Sequence, residues 1–442
     1  MELGIVLSVA LFFIGLAVGI PIGWVFLGST ITGILVIGDS INFTATTYFS
    51  SLNSEILTAI GFFIFAGGLL SISGLAARIV KFSNVLVGKI RGGLISVAIV
   101  AAVFLGALTG SSLPVISALV PILVPELEKY GYKKYYTTAV ICSSGFLGYL
   151  IPPSVPAMIY CLVAQQSIAA LFLSTIIPGL LLAVGYIVLN FFIGEKYRDP
   201  VASITQIDSE LAKRTTLFAA LKPALPAFGC PLLILVGIYG GIFTPSEAGA
   251  VAVVYTIIVG MFVYRDLKLK GIVDSIVSTV GTLGMSAILL AGGAVLSRYF
   301  LRYGVAQAFA GGMLSLFHSK TMILLTINVF LLILGMFIDG IPILVMAVPL
   351  ILPIAKELDL NLIHLGAMIV VNIGIGTMTP PFAISIFLGS RLSGVSASDL
   401  IPTVLKYCIF VAIPVLLLTT FIPALSCWLP SLVLGKSIIG MY

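Results

Sequence analysis

Gly148-Tyr149-Leu150-Ile151-Pro152-Pro153-Ser154 interrupts one long apolar segment, and Gly376-Thr377-Met378-Thr379-Pro380-Pro381-Phe382 interrupts another 228 residues later. A proline pair removes two backbone donors and breaks a helix. Inside a bilayer such a break is tolerated only where the freed backbone is buried in protein or lines a polar cavity. Two breaks at matching places in two halves of one chain point to a transporter's binding region.

The surrounding composition requires a membrane. Sixty per cent of residues are hydrophobic and 9% are charged, against about 25% charged in soluble chains. Mean hydropathy is +1.24, and apolar runs near the ~20 residues needed for a crossing recur throughout. The net charge of +6 is not a nucleic-acid signature, because the basic residues sit in short loops between apolar runs. The first run, 3–38, has neither a basic leader nor a convincing cleavage site and reads as structure. Five cysteines, Cys142, Cys161, Cys230, Cys408 and Cys427, are scattered without paired spacing, which suggests apolar filler and no disulfide framework or zinc site. His318 and His364 are isolated, whereas metal sites need clustered ligands. Gly435-Lys436-Ser437 resembles the end of a phosphate loop, but Pro430 stands where the first glycine belongs and no strand precedes it. Catalytic motifs are lacking, so an enzyme is not expected.

Shifting the chain by 228 residues superposes Pro114 on Pro342, Pro121 on Pro349, Pro125 on Pro353, Pro152-Pro153 on Pro380-Pro381 and Gly148 on Gly376. Ala66-Gly67-Gly68 pairs more loosely with Ala291-Gly292-Gly293, and Asp39 and Asp266 each end an apolar run. The expectation is an all-α polytopic protein of two repeats, 1–194 and 224–442, joined by an amphipathic cytoplasmic linker over 195–223. In the first repeat, spans are expected at 3–20, 22–38, 55–75, 135–163 and 170–193, with paired arms at 92–109 and 113–127. About five spans plus a paired-arm element make the second repeat enter from the opposite side, an inverted repeat. Sixteen of the 22 basic residues then face the cytoplasm, as the positive-inside rule asks, and both termini lie outside. Arms of ~23–27 Å at helical rise fall just short of the ~30 Å core, so length leaves 92–127 and 321–356 open between re-entrant hairpins and pairs of spans. Their tips, Gly110-Ser111-Ser112-Leu113-Pro114 and Asp339-Gly340-Ile341-Pro342, are small, polar and helix-breaking, which favours re-entry. The discontinuous helices are placed at 135–163 and 363–390.

A half-helix ending in mid-bilayer offers carbonyl oxygens at one end and N–H groups at the other. The carbonyls suit a hard cation such as Na⁺, and the N–H groups suit an anion. One cation site is expected where Thr109, Ser111 and Ser112 face Gly148, Ile151 and Pro153. The other is expected where Gly335, Asp339 and Gly340 face Gly376, Thr379 and Phe382. Any one glycine or proline here could be mere close packing or a kink; the repeated constellation is not explained that way. An acid at the midplane, Asp339, costs ~2.5–3.5 kcal/mol on insertion scales and is functional by default. Arg298 and Arg302 lie four apart on one helix face. Either could fork onto a substrate carboxylate, although Arg298 reads first as an interfacial anchor. Glu247, after Thr244-Pro245-Ser246, belongs in a first helical turn.

These stretches resemble the large membrane subunit of tripartite ATP-independent periplasmic (TRAP) transporters. The resemblance rests on Gly106-Ala107-Leu108-Thr109-Gly110-Ser111-Ser112, on 148–154, and on Gly237-Ile238-Tyr239-Gly240-Gly241-Ile242-Phe243-Thr244-Pro245-Ser246-Glu247-Ala248. Gly335-Met336-Phe337-Ile338-Asp339 and Thr379-Pro380-Pro381 carry it in the second half, and it runs over nearly the whole chain. The first tip departs at Ser112-Leu113-Pro114, where many relatives carry a small residue and a threonine. The resemblance implies an elevator-type importer of the ion transporter superfamily kind, in a bacterial or archaeal cytoplasmic membrane. It implies coupling to two or more Na⁺, a small four-helix membrane partner, and a periplasmic substrate-binding protein delivering a small carboxylate or related anion. By matching positions it also implies substrate contacts at Ser154, Arg302 and Asp339, beside one Na⁺ site at the first tip and break and another at Gly335, Gly376, Thr379 and Phe382. The competing expectations are a self-sufficient ion-coupled dicarboxylate transporter or cation antiporter of similar architecture and, less well matched, an ion channel.

Overall fold

The computed structural model describes residues 2–199, 217–317 and 319–435. Most of the expected linker, His318 and Lys436 lie outside the described residues. The described chain is helical, with one isolated bridge between Tyr132 and Arg198 in place of any sheet. Among the described residues, eight helices are long and apolar enough to cross a membrane, including Glu55–Ile72, Pro245–Val263 and the 34-residue Leu269–Arg302.

The two breaks are present. In the first half, Lys134–Gly145 gives way to a 3₁₀ turn at Phe146–Tyr149, and helix resumes at Val155–Ala164. In the second, Leu362–Gly376 stops and Ile384–Ser393 resumes. Both Pro-Pro bonds, 152–153 and 380–381, are cis. The paired arms are Gly93–Thr109 with Ser112–Lys129, and Lys320–Phe337 with Gly340–Glu357. We call these pairs the first and second hairpins. The first turns on Gly110, whose φ of 61° suits glycine. The second turns on Asp339, whose carboxylate accepts from the Gly340 N–H at 2.8 Å and starts the returning arm.

Packing is reciprocal. The resumed helix Val155–Ala164 lies against the returning arm of the second hairpin, and Ile384–Ser393 lies against the returning arm of the first. Ile168–Ile193 packs on Leu362–Gly376, while Ala397–Tyr407 packs on Lys134–Gly145. Each half therefore completes the core of the other. A buried polar seam ties the second half together. The Asn372 amide donates to the Asn328 side chain at 2.8 Å, and the Asn328 amide to Thr420 Oγ1 at 3.0 Å. His364 is held between Ser426 Oγ (2.7 Å) and the Thr420 carbonyl, a packed core histidine.

Around this body runs a frame of Glu2–Val18, Ile22–Ile37, Asn42–Leu52, Glu55–Ile72, Leu217–Tyr239, Pro245–Val263 and Leu269–Arg302. Thr244 and Glu247 form the expected helix start as a full capping box. Three short helices were not anticipated: Asn42–Leu52, Leu75–Val87 and Val305–Leu316. The last two each begin after a left-handed glycine, Gly74 and Gly304. Two ion pairs join the halves reciprocally. Asp39 of the first meets Arg302 of the second at 2.7 Å, and Asp266 of the second meets Arg78 of the first at 2.7 Å.

Candidate functional site

The site begins with glycines. A Cβ on Gly106 would lie 2.7 Å from Gly148 Cα, and one on Gly335 would lie 2.7 Å from Gly376 Cα. Hairpin and broken helix thus touch backbone to backbone in both halves, closer than any side chain allows. Each contact is sealed by an amide beyond the cis bond. Val155 N–H donates to the Gly110 carbonyl at 3.0 Å, and Phe382 N–H to the Met336 carbonyl at 3.1 Å. Backbone oxygens, helix ends and hydroxyls are thereby gathered twice, at corresponding places.

At the first tip the polar groups are sealed in. Thr109, Ser112 and Ser154 are buried. Thr109 Oγ1 donates to the Ser111 carbonyl at 3.2 Å. The ideal Cβ of Gly148 would fall 2.7 Å from that same Ser111 oxygen, and that of Gly110 2.4 Å from the Pro153 oxygen. The Thr109, Ser111, Ser112, Gly148 and Pro153 atoms are brought together, and Ile151 lies one turn along, its N–H donating to the Leu147 carbonyl. Ser154 caps the resumed helix, accepting from Ala157 N–H at 3.2 Å while donating to the Tyr149 carbonyl. Its hydroxyl is therefore part of the break itself.

The second tip is open on one side. Thr379 Oγ1 donates to the Ile375 carbonyl at 2.7 Å, and Thr379 N–H to the Gly376 carbonyl at 3.0 Å, so threonine closes the interrupted helix end. Phe382 stacks loosely on Phe337, with centroids 5.7 Å apart, and remains 58% exposed. Both rings line an apolar cavity of about 840 Å³ shared with Phe12, Phe13 and Leu16 of the frame. Asp339 is half-buried beside this opening. The Gly335, Asp339, Gly340, Gly376, Thr379 and Phe382 positions all border this one tip and break.

Two positions change the reading of the sequence. Tyr149, inside the first break, sits beside the Ser112 hydroxyl and within electrostatic reach of Asp339. Nothing in its local pattern distinguishes it from other buried tyrosines. Arg302 is not brought to the tips. Its guanidinium is engaged by Asp39 through Nε (3.1 Å) and Nη2 (2.7 Å) and lies 5.1 Å from the Phe43 ring centre. Outside the spans, Asp39 is held below the usual carboxylate range, first by the Tyr303 hydroxyl, then by the Ser40 N–H and Arg302.

Comparison with known proteins gives these features a family. The profile of the "Tripartite ATP-independent periplasmic transporter, DctM component" matches residues 9–425. A C4-dicarboxylate TRAP transporter large permease protein from Pseudomonas aeruginosa is 32% identical, over 92% of this chain and 93% of its own. A sialic acid TRAP transporter large permease protein from Vibrio cholerae is also 32% identical, over 96% of this chain and 97% of its own. An isethionate TRAP transporter permease protein from Oleidesulfovibrio alaskensis is 33% identical over 93% of this chain, which spans 64% of that longer protein. Among solved structures, the Alcanivorax borkumensis YdaH transporter shares the fold, with a TM-score of 0.59 over 88% of each chain at 16% identity.

Proposed function

The chain belongs to the tripartite ATP-independent periplasmic transporter family as a DctM component, a multi-pass membrane permease, and from that premise we propose that it is a Na⁺-coupled, elevator-type importer of a small organic acid. A periplasmic binding protein delivers the solute, and a small membrane subunit braces the frame. The halves are inverted repeats in the cytoplasmic membrane, with both termini on the periplasmic side. The hairpins and broken helices form the moving body, and the surrounding helices form the stationary frame.

The observation that carries this reading is the doubled contact of hairpin and broken helix, Gly106 on Gly148 and Gly335 on Gly376. Each gathers carbonyl oxygens and hydroxyls that suit a hard cation. One Na⁺ is assigned to Thr109, Ser111, Ser112, Gly148, Ile151 and Pro153. A second is assigned to Gly335, Gly340, Gly376, Thr379 and Phe382. The solute meets Ser154, Asp339 and the N–H-bearing ends of the resumed helices. Arg302, engaged by Asp39, is left out of this assignment. Each Na⁺ moving inward releases ~2.3 kcal/mol per ~100 mV. A dianionic solute thus needs more than two for inward charge movement.

Reconstitution in liposomes with both partners tests the coupling. Solute accumulation should follow an inward Na⁺ gradient and cease when choline replaces Na⁺. Uptake undiminished without Na⁺ rejects the coupling. Uptake undiminished without the binding protein moves the chain to the self-sufficient class.

A further inference from the structure

A second cavity, about 550 Å³, lies where the frame meets the moving body. Its size falls within the ~300–1,000 Å³ range of small-molecule sites. The frame contributes Thr47, Ser50, Ser51, Ser297 and Arg298; the resumed helix of the first break contributes Gln165, with Leu162 and Val163 beneath it. Val345 of the second hairpin completes the lining. This lining contrasts with that of the apolar cavity at Phe382, where Ser8 is the sole hydrophilic side chain. Hydroxyls and an amide gathered in one hollow of so apolar a chain suit a polar ligand; Ser50, Ser51 and Gln165 donate to nearby carbonyls and keep their oxygens free to accept.

Arg298 sets the sign. Among the described residues no carboxylate lines the cavity, and Arg298 forms no ion pair. Its neighbour one turn on, Arg302, is neutralised by Asp39. Arg298 is exposed at the cavity mouth, and one Nη donates to the buried Thr47 hydroxyl at 3.2 Å, which holds the guanidinium against the cavity wall. Of five guanidinium N–H donors, one is accounted for by this bond, and the remainder can serve a forked anion.

We propose that this cavity is an entry site for a small organic anion, whose carboxylate or sulfonate docks on Arg298 while the surrounding hydroxyls and Gln165 take its polar flank. It lies on the same end of the molecule as the Asp39–Arg302 pair, the outer end in the topology proposed above. It is distinct from the tip sites and uses none of their residues. Because its walls belong to both frame and moving body, sliding of the body reshapes it. An anion held there in one position is released toward the tips in the other. The binding of the anion stands on the cavity alone; its role as an entry rests on the topology and the sliding of the proposed function.

The test is binding to the purified full chain with choline in place of Na⁺, using radiolabelled succinate, N-acetylneuraminate and isethionate as probes. At least one should bind once per chain without Na⁺. Arg298→Gln should weaken it ~10–100-fold, the range for losing a charged hydrogen-bonding partner, and Arg298→Lys should weaken it less. Ala294→Phe, which fills the cavity and spares the charge, should also abolish it, so misfolding of one variant leaves the other. Asp339→Ala should leave Na⁺-free binding intact. No Na⁺-free binding of any probe, or wild-type affinity in both Arg298→Gln and Ala294→Phe, overturns the entry site. So does loss of probe binding on moving the protein from phosphatidylcholine to phosphatidylglycerol nanodiscs, which would mark the cavity as a lipid-phosphate site. In uptake assays, wild-type KM in Arg298→Gln with complete loss in Asp339→Ala would sink the entry site alone; the reverse would sink the tip assignment alone.

Discussion

The two tips share a backbone and differ in what clothes it. Both have a glycine-on-glycine contact, a cis Pro-Pro bond and an amide returned to the tip. Yet the first is closed over buried Thr109, Ser112 and Ser154. The second carries an acid and leaves Phe382 facing an apolar cavity. The common part is main-chain geometry, the part to which the proposed function assigns cation coordination in both halves. The differing part is side chains, to which the proposed function assigns solute recognition.

The strongest way to break this comparison is to attack the shared part. Gly106→Val and Gly335→Val each drive a side chain into opposing backbone, which cannot yield by changing rotamer. Uptake should fall at least ~10-fold in both, on an overpacking cost of about 1–3 kcal/mol or more. Gly145→Ala is the control. Its Cβ would crowd the Ile116 side chain, at 2.5 Å, and would meet backbone only at ordinary contact distance, 3.4 Å from the Ser112 oxygen, so the loss should be much smaller. Equal losses at all three positions would mean that close backbone approach is not what the tips require.

The differing part is probed by single side chains. Asp339→Ala should reduce uptake ~10–100-fold, as for removal of a charged hydrogen-bonding group, with the protein still folded. Ser112→Ala should cost less than ~10-fold, because a neutral hydroxyl beside carbonyl ligands is worth about 1 kcal/mol. Uptake rates and the apparent Na⁺ affinity of each variant distinguish the outcomes. A larger loss at Ser112 than at Asp339 would reverse the roles given to the two tips.

Much of this organisation was legible in the residues. The arm bounds lie within two residues of those expected, and the resumed helix after the second break runs three residues further, to Ser393, because proline and glycine mark where a helix is interrupted better than where it ends. The short helices Asn42–Leu52, Leu75–Val87 and Val305–Leu316 were not expected, since none approaches spanning length and their ends are marked by single glycines or caps. Arg302 shows a different limit. The spacing of Arg298 and Arg302 establishes a shared face, but which of them is neutralised depends on Asp39, 263 residues away. Asp39 and Asp266 were visible as a matched pair of run endings; their crossed partners were not, because local pattern carries no information on which arginine packing will deliver.

Those crossed pairs supply the mildest test. Asp39–Arg302 and Asp266–Arg78 have the same separation, and each arginine also lies over an aromatic ring, Phe43 or Tyr264. Asp39 differs in gaining the Tyr303 hydroxyl at 2.7 Å. Its carboxylate is held below its ordinary range, so its contribution to stability is fully present above the unfolded-state pKa of about 3.9. That contribution disappears as pH falls through the lower folded-state value. Asp39→Asn should therefore melt below the wild type near neutral pH, and the two melting curves should converge as the buffer is taken below about pH 4. The gap should also narrow in high salt, since both partners are partly exposed. Melting midpoints of the full chain in detergent measure this directly. A gap independent of pH would mean that Asp39 acts through packing of its turn and not through its charge, and the symmetry of the two clamps would then be one of shape alone.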